Sequence, residues 1–230
     1  LKTIFPKDQF LRLHLTLFIT IGLAAFLRLF SLWRNPVIGD EFWTLYWIKN
    51  DIPTIIRASF ADFHPPLYYL IIRYWEPLLK NSIIWLRLFS FFASLCSLVF
   101  VYQAGKLLGN RRIALWSILI MALAGGLISD SATSRMYALG TLCATVVIWS
   151  TIAYLDSAKT KYLVFNAIAL LVGTYTYHYL ALFIFSTWSF LALHKRISIQ
   201  FVITQFFVFL GTVPFIAFFA KSLTFFNQFH

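Results

Sequence analysis

An all-α, polytopic membrane protein is the fold class this sequence predicts, and three observations predict it. Of its 230 residues 60% are hydrophobic and only 12% are charged, a composition suited to a bilayer and not to water. The apolar residues come in long runs rich in Leu, Ile, Phe and Ala, without the dyad alternation and turn signals of an outer-membrane barrel, so the spanning elements are helices. Most of the Lys and Arg behind the net charge of +11 sit in short connectors between those runs, where they act as topology signals. This placement excludes a nucleic-acid-binding reading of the charge.

The first run follows Lys2, Lys7 and Arg12 and superficially resembles a signal peptide. Its apolar character resumes beyond Arg28 to Trp33 without a small-x-small cleavage pattern, which makes it an uncleaved first span. Leu1 in place of Met suggests a fragment, a processed end or a non-standard start. Runs of spanning length lie at about 11–33, 83–105, 113–129, 137–155, 162–177, 179–193 and 197–220. Several are near the short end of the roughly 17 to 25 residues expected of a membrane helix. The break at Tyr177-His178-Tyr179 admits one long tilted helix or two short ones, and charge placement favours two. With the N-terminus cytoplasmic, seven spans leave Lys106, Arg111, Arg112, Lys159, Lys161, Lys195 and Arg196 inside and most acids outside. Merging the pair would expel Lys195 and Arg196. The outer segment between the first two spans does hold Arg34, Lys49, Arg57, Arg73 and Lys80, against the rule.

That segment, residues 34–82, reads as short helices lying on the membrane surface. Phe42, Trp43, Tyr46 and Trp47 recur at helical spacing and form an aromatic face suited to the headgroup level. Pro65 and Pro66 can begin a helix but not continue one, so residues 67–79 form a separate apolar helix. No repeat, linker or low-complexity stretch marks a second domain, and the whole of 1–230 is one module. Cys96 and Cys143 lie inside predicted spans with no metal-ligand spacing.

The charged residues of the outer face carry the chemistry, and each has an ordinary explanation beside it. Gly39-Asp40-Glu41 precedes the aromatic stretch; Asp40 suits a helix cap and Glu41 the positive end of a helix dipole. Two carboxylates beside a bilayer equally suit chemistry on a membrane-delivered substrate. His64, fixed by Pro65-Pro66, is either part of a rigid turn or a donor to a lipid phosphate. Asp130 and Arg135 come to the same face as Asp40, with a local pair or snorkelling as the alternative; Arg28 and Arg87 share the snorkelling alternative. His178 sits at an outer turn among aromatics, where a histidine is more often structural. Soluble nucleotide chemistry has no motif here.

In order along the chain, Leu27-Arg28-Leu29, Asp40-Glu41, His64-Pro65-Pro66-Leu67-Tyr68-Tyr69, Leu86-Arg87-Leu88, Gly109-Asn110-Arg111-Arg112, Arg135-Met136-Tyr137-Ala138-Leu139 and His178-Tyr179-Leu180-Ala181-Leu182 resemble the GT-C glycosyltransferases. The nearest branch is that of dolichyl-phosphate-mannose protein mannosyltransferases and lipid A aminoarabinose transferases. The resemblance covers nearly the whole chain. It implies a GT-C-like core of about seven transmembrane helices with the outer juxtamembrane helical loop between the first and second, and the C-terminal part of the family is expected to be missing. One position departs: relatives often carry Glu two residues before the Arg of the Arg-Met-Tyr motif, and this chain has Thr133, with Asp130 as a stand-in.

The activity so implied is transfer of a sugar from a polyprenyl-phosphate-linked donor to a lipid, glycan or protein acceptor, on the extracytoplasmic face of the cell membrane and with inversion. Asp40 would be general base, with Glu41 orienting it or, with Asp40, holding a divalent metal if one is used. His64, Arg87 and Arg135 would bind the donor phosphate. Asp130, Tyr137 and His178 are further substrate-site candidates. Two other classes stand beside this one: a transporter or flippase of lipid-linked sugars, and a non-catalytic fragment scaffolding a larger transferase.

Overall fold

The computed structural model of the protein describes residues 7–37, 39–61, 64–79 and 83–227. Each of the seven apolar runs folds into helix. α1 (Lys7–Arg34) leads into three short helices, α2 (Gly39–Trp47), α3 (Ile52–Ala61) and α4 (Leu67–Trp75), the last continuing as a 3-10 turn, Glu76–Leu79. α5 (Ile83–Leu108), α6 (Arg111–Leu123), α7 (Gly125–Ser131), α8 (Tyr137–Ser157) and α9 (Thr160–Thr176) follow. A 3-10 turn, His178–Ala181, then opens α10 (Leu182–Leu193), and α11 (Ile199–Asn227) closes the described chain. Among the described residues there is no strand.

Among the described residues four segments are long and apolar enough to cross a membrane: Leu13–Arg34, Ile83–Leu108, Tyr137–Ser157 and Ile199–Ala220. α6 and α7 meet at 65° and make a fifth if the bent pair counts as one span. The remaining two runs are helical but shorter: α9 has 17 residues, and His178–Leu193 is a short apolar helix. The expectation of seven full spans is thus met in part. The break at Tyr177 is real, because its extended backbone (φ −147°, ψ 107°) interrupts the helical course.

Small residues and caps set how the long helices pair. A Cβ added at Gly105 of α5 would stand 2.7 Å from the Ala114 Cα of α6, so the missing side chain is what permits this close crossing. Asn110 caps α6, its side-chain oxygen accepting from the N–H groups of Arg112 (2.9 Å) and Ile113 (3.1 Å). At the same end of the bundle the Tyr154 and Ser198 hydroxyls meet at 2.6 Å, tying the end of α8 to the start of α11. The connectors bearing Arg111, Lys159 and Lys195 therefore share one end.

At the other end α2, α3 and α4 lie over the bundle. Trp47, Ile55, Tyr68, Tyr69 and Ile72 form one apolar core with Leu86 of α5 and Met136, Leu139 and Cys143 beneath them. Phe42, Trp43 and Tyr46 of the anticipated aromatic face are exposed, whereas Trp47 turns inward against Tyr69, ring centroids 5.1 Å apart. Arg73 of α4 donates to the carbonyls of Ile48 (2.8 Å) and Asn50, binding α4 to the α2–α3 turn. Trp75 and Trp85 stack at 4.8 Å and exchange indole N–H bonds with each other's carbonyls at 3.0 and 3.2 Å. The helix expected over 67–79 tightens to 3-10 geometry after Trp75, where Pro77 has no N–H to continue the α ladder.

Arg28 does not snorkel. It is fully buried, donating from Nε to Ser94 Oγ (2.8 Å) and from its two Nη atoms to the carbonyls of Ala122 and Met121, both at 3.3 Å. Those carbonyls belong to the last turn of α6, which the extended Ala124 (φ −65°, ψ 107°) cuts off from α7. A helix end leaves carbonyls without intrahelical partners and carries partial negative charge. The guanidinium supplies both donors and countercharge, so α1 holds the bend that aims α7 across the end of the bundle.

Candidate active site

Glu41 sits at zero exposure in the first turn of α2. Arg87 of α5 grips both its oxygens, Nε to Oε1 at 2.9 Å and Nη2 to Oε2 at 2.6 Å, and the Ser134 main-chain N–H donates to Oε1 at 2.7 Å. Arg87 spends its other N–H groups on the carbonyls of Leu32 (3.2 Å), Asn35 (2.9 Å) and Pro36 (2.9 Å). A guanidinium has five N–H donors, and here each has an acceptor. The pair thus staples three strands of chain together: the exit of α1, the start of α2 and the loop before α8.

Arg87 is accordingly a buried organiser, neither snorkelling nor offering an open donor to a phosphate. Glu41 likewise does not suit a metal. Its two oxygens face a guanidinium and an amide N–H, and a cation there would meet the Arg87 charge at contact distance. Among the described residues no three His, Cys, Asp or Glu side chains form a metal-holding group.

Asp40 stands beside this buried pair and differs from it. It lies within α2, not ahead of it, and its side chain is 58% exposed. Arg135, itself 3% exposed, approaches Asp40 Oδ2 to 3.8 Å through Nη2 and donates from Nη1 to the Asp40 carbonyl at 3.3 Å and the Tyr69 hydroxyl at 3.2 Å. An open carboxylate thus rests on a buried cation that the helix α4 helps to hold. The adjacent Tyr68 hydroxyl lies 3.4 Å from Ser134 Oγ, and burial pushes its pKa up to about 12, so it stays protonated.

A second group of candidates collects around the turn between α9 and α10. The His178 ring stacks near Tyr179 (4.1 Å), Tyr177 (5.7 Å) and Phe219 (6.0 Å), and Tyr177 meets Tyr137 edge-on at 5.8 Å. His178 Nδ1 is buried without a hydrogen-bond partner among the described residues. Burial, and then the charge of nearby His64, lower the His178 pKa below its ordinary 6.5. Tyr137, Tyr179 and Asp130 lie within electrostatic reach of Tyr177, which puts Asp130 in the same neighbourhood. Asp130 is half-buried in α7, its carbonyl accepting from Thr133 Oγ1 at 3.2 Å.

The structure therefore joins Asp40 with Arg135 and Glu41 with Arg87, and gathers His64, His178, Tyr137 and Asp130 at the same end of the bundle. Sequence reasoning assigned no role to Tyr69 or to the Ser134 N–H. Tyr69 carried a signal, its place in the Pro-Pro-Leu-Tyr-Tyr motif. A main-chain donor such as that of Ser134 leaves none in the residue types.

A helical membrane protein with carboxylates, histidines and guanidinium groups clustered at one end of its bundle is the class that this fold and site define. The chain belongs to the dolichyl-phosphate-mannose-protein mannosyltransferase family, whose profile matches residues 63–223, and it is thus a membrane glycosyltransferase of the GT-C type. No curated protein and no solved structure matches the chain. The matched region contains His64, Arg87, Asp130, Arg135, Tyr137 and His178, while Asp40 and Glu41 precede it. It is the three-dimensional contacts to Arg135 and Arg87 that connect those two acids to the family region.

Proposed function

We propose that the protein transfers a sugar from a polyprenyl-phosphate-linked donor to an acceptor on the extracytoplasmic face of the cell membrane, within a seven-helix GT-C core whose two shortest members are α9 and α10. The observation that carries this reading is the exposed Asp40 carboxylate resting on the buried Arg135. In a site whose leaving group is already a stable phosphate anion, no strong general acid is required; one base and fixed cations suffice, unlike glycoside hydrolysis with its two working carboxylates. Asp40 takes the acceptor's proton, and the acceptor displaces the phosphate from the far side, inverting the anomeric centre. Glu41 and Arg87 hold α2 so that Asp40 faces outward. Arg135 and His64 receive the carrier phosphate, and His178, whose Nδ1 has no partner among the described residues, becomes protonated as that anion approaches.

The bend between α6 and α7 is a feature a transporter would use, since broken helices make substrate sites in such proteins. Here Arg28 fills the freed carbonyls, which favours packing over passage. The test is transfer by the purified protein from radiolabelled polyprenyl-phosphate sugars in Asp40→Asn. A general base contributes about 10² to 10⁴, so activity should fall by that factor with the fold intact; full activity would remove the assignment.

A further inference from the structure

We propose that the protein binds the headgroup of an anionic phospholipid at the basic end of its bundle, opposite the Asp40 site. A cavity of about 440 Å³ opens there between α5, α8 and α9, lined by Val99, Phe100, Gln103, Lys106, Trp149 and Tyr162 among others. Its volume falls in the range of small-molecule sites. The inference does not depend on the transfer reaction.

The lining divides into a wet half and a dry half. Lys106 lines the cavity, its ammonium 5.8 Å from the Tyr102 ring centroid, Lys161 stands behind the lining ring of Tyr162 at 5.1 Å, and Gln103 adds an amide. Among the described residues no carboxylate lines it; Asp156, an acid of the same end, stands outside. The floor is a column of rings, Trp149 meeting Phe100 at 5.2 Å, Tyr162 at 5.5 Å and Phe165 at 5.7 Å. Exposed Val99 and Phe165 continue this apolar surface.

Charge at the mouth with aromatic and aliphatic surface leading away along membrane-length helices fits a phosphodiester with acyl chains. Trp and Tyr favour the same depth, where one end of the ring is apolar and the other wet. Basic pockets between membrane helices bind anionic headgroups on this principle, each lysine near the surface contributing a factor of about five. A zwitterionic lipid would gain less from the lysines, because its own ammonium opposes them, and a free phosphate would gain nothing from the ring column.

The test is native mass spectrometry of the full chain in detergent with added phosphatidylglycerol or phosphatidylcholine. Phosphatidylglycerol should be retained over phosphatidylcholine, with affinity about fivefold weaker in K106Q and about 25-fold weaker in K106Q/K161Q. V99W, which fills the cavity without altering charge, should weaken it as well. K195Q, a basic residue of the same end outside the cavity, should leave it unchanged. Equal retention of the two lipids, wild-type affinity in both K106Q/K161Q and V99W, or a loss in K195Q as large as in K106Q would overturn the proposal. Displacement of phosphatidylglycerol by millimolar inorganic phosphate would overturn the lipid assignment in favour of a free anion.

Discussion

Replacing Glu41 by glutamine removes the carboxylate paired with Arg87 from a buried place. The guanidinium keeps the carbonyls of Leu32, Asn35 and Pro36, but a net charge remains buried at 2% exposure. Breaking a buried pair costs about 3 to 5 kcal/mol. Glutamine retains an acceptor oxygen for the Ser134 N–H, a neutral hydrogen bond contributing about 1 kcal/mol. The expected loss for Glu41→Gln is thus about 2 to 4 kcal/mol. Arg87→Met takes away the cation that grips both oxygens of the buried Glu41 carboxylate and should cost about 3 to 5 kcal/mol. The double variant removes both charges and should be less destabilised than the sum of the singles by about 2 kcal/mol or more. Unfolding of the four proteins by SDS in mixed micelles yields the cycle. Single losses under about 1 kcal/mol, or additivity within about 0.5 kcal/mol, would show that the pair does not hold α2 to the bundle.

Other expectations follow from particular contacts. Arg28→Met orphans the Ala122 and Met121 carbonyls at the α6–α7 bend and should lower stability by about 1 to 3 kcal/mol per unsatisfied group; the same SDS titration measures it, and an unchanged midpoint would contradict the role given to Arg28. Gly105→Ala places a methyl 2.7 Å from the Ala114 backbone and should cost about 1 to 3 kcal/mol by forcing α5 and α6 apart; wild-type thermal stability would refute that crossing. His178 titrates below 6.5 in the fold, so the unfolded chain binds more protons between the two values. Its stabilising contribution is complete above pH 6.5 and is lost as pH falls through the folded value. Melting temperature should therefore drop between pH 7 and 5, with a shallower slope in His178→Gln; equal slopes would exclude His178 as the source.

Much of this site was readable residue by residue. Asp40, Glu41 and His64 stood out because acids and a proline-fixed histidine are unusual beside membrane-length runs, and Pro77 explains where α4 tightens. Less readable was how the acids divide their work. Asp40 and Glu41 are neighbours in the chain, yet one is open and the other closed to solvent. Arg87 looked like a phosphate ligand or a snorkelling cation, and its donors are all engaged inside the protein. Trp47 shared a stripe with Phe42, Trp43 and Tyr46 but faces the core, because the helices α3 and α4 cover that side of α2.

The amino-acid sequence by itself determined the helical membrane class, the apolar runs, the short helices between the first two of them and the order of the chemical residues. Hydrophobic length, proline and charge placement act over a few turns of chain, and such local properties are written in the residues. Only the tertiary structure decided the partnerships: Arg87 with Glu41 across 46 positions and Arg135 with Asp40 across 95. Which cation a buried carboxylate meets depends on how distant helices cross and bend, as at Gly105 and at the Arg28-filled break. Burial then turns that meeting into either a fixed staple or an open carboxylate.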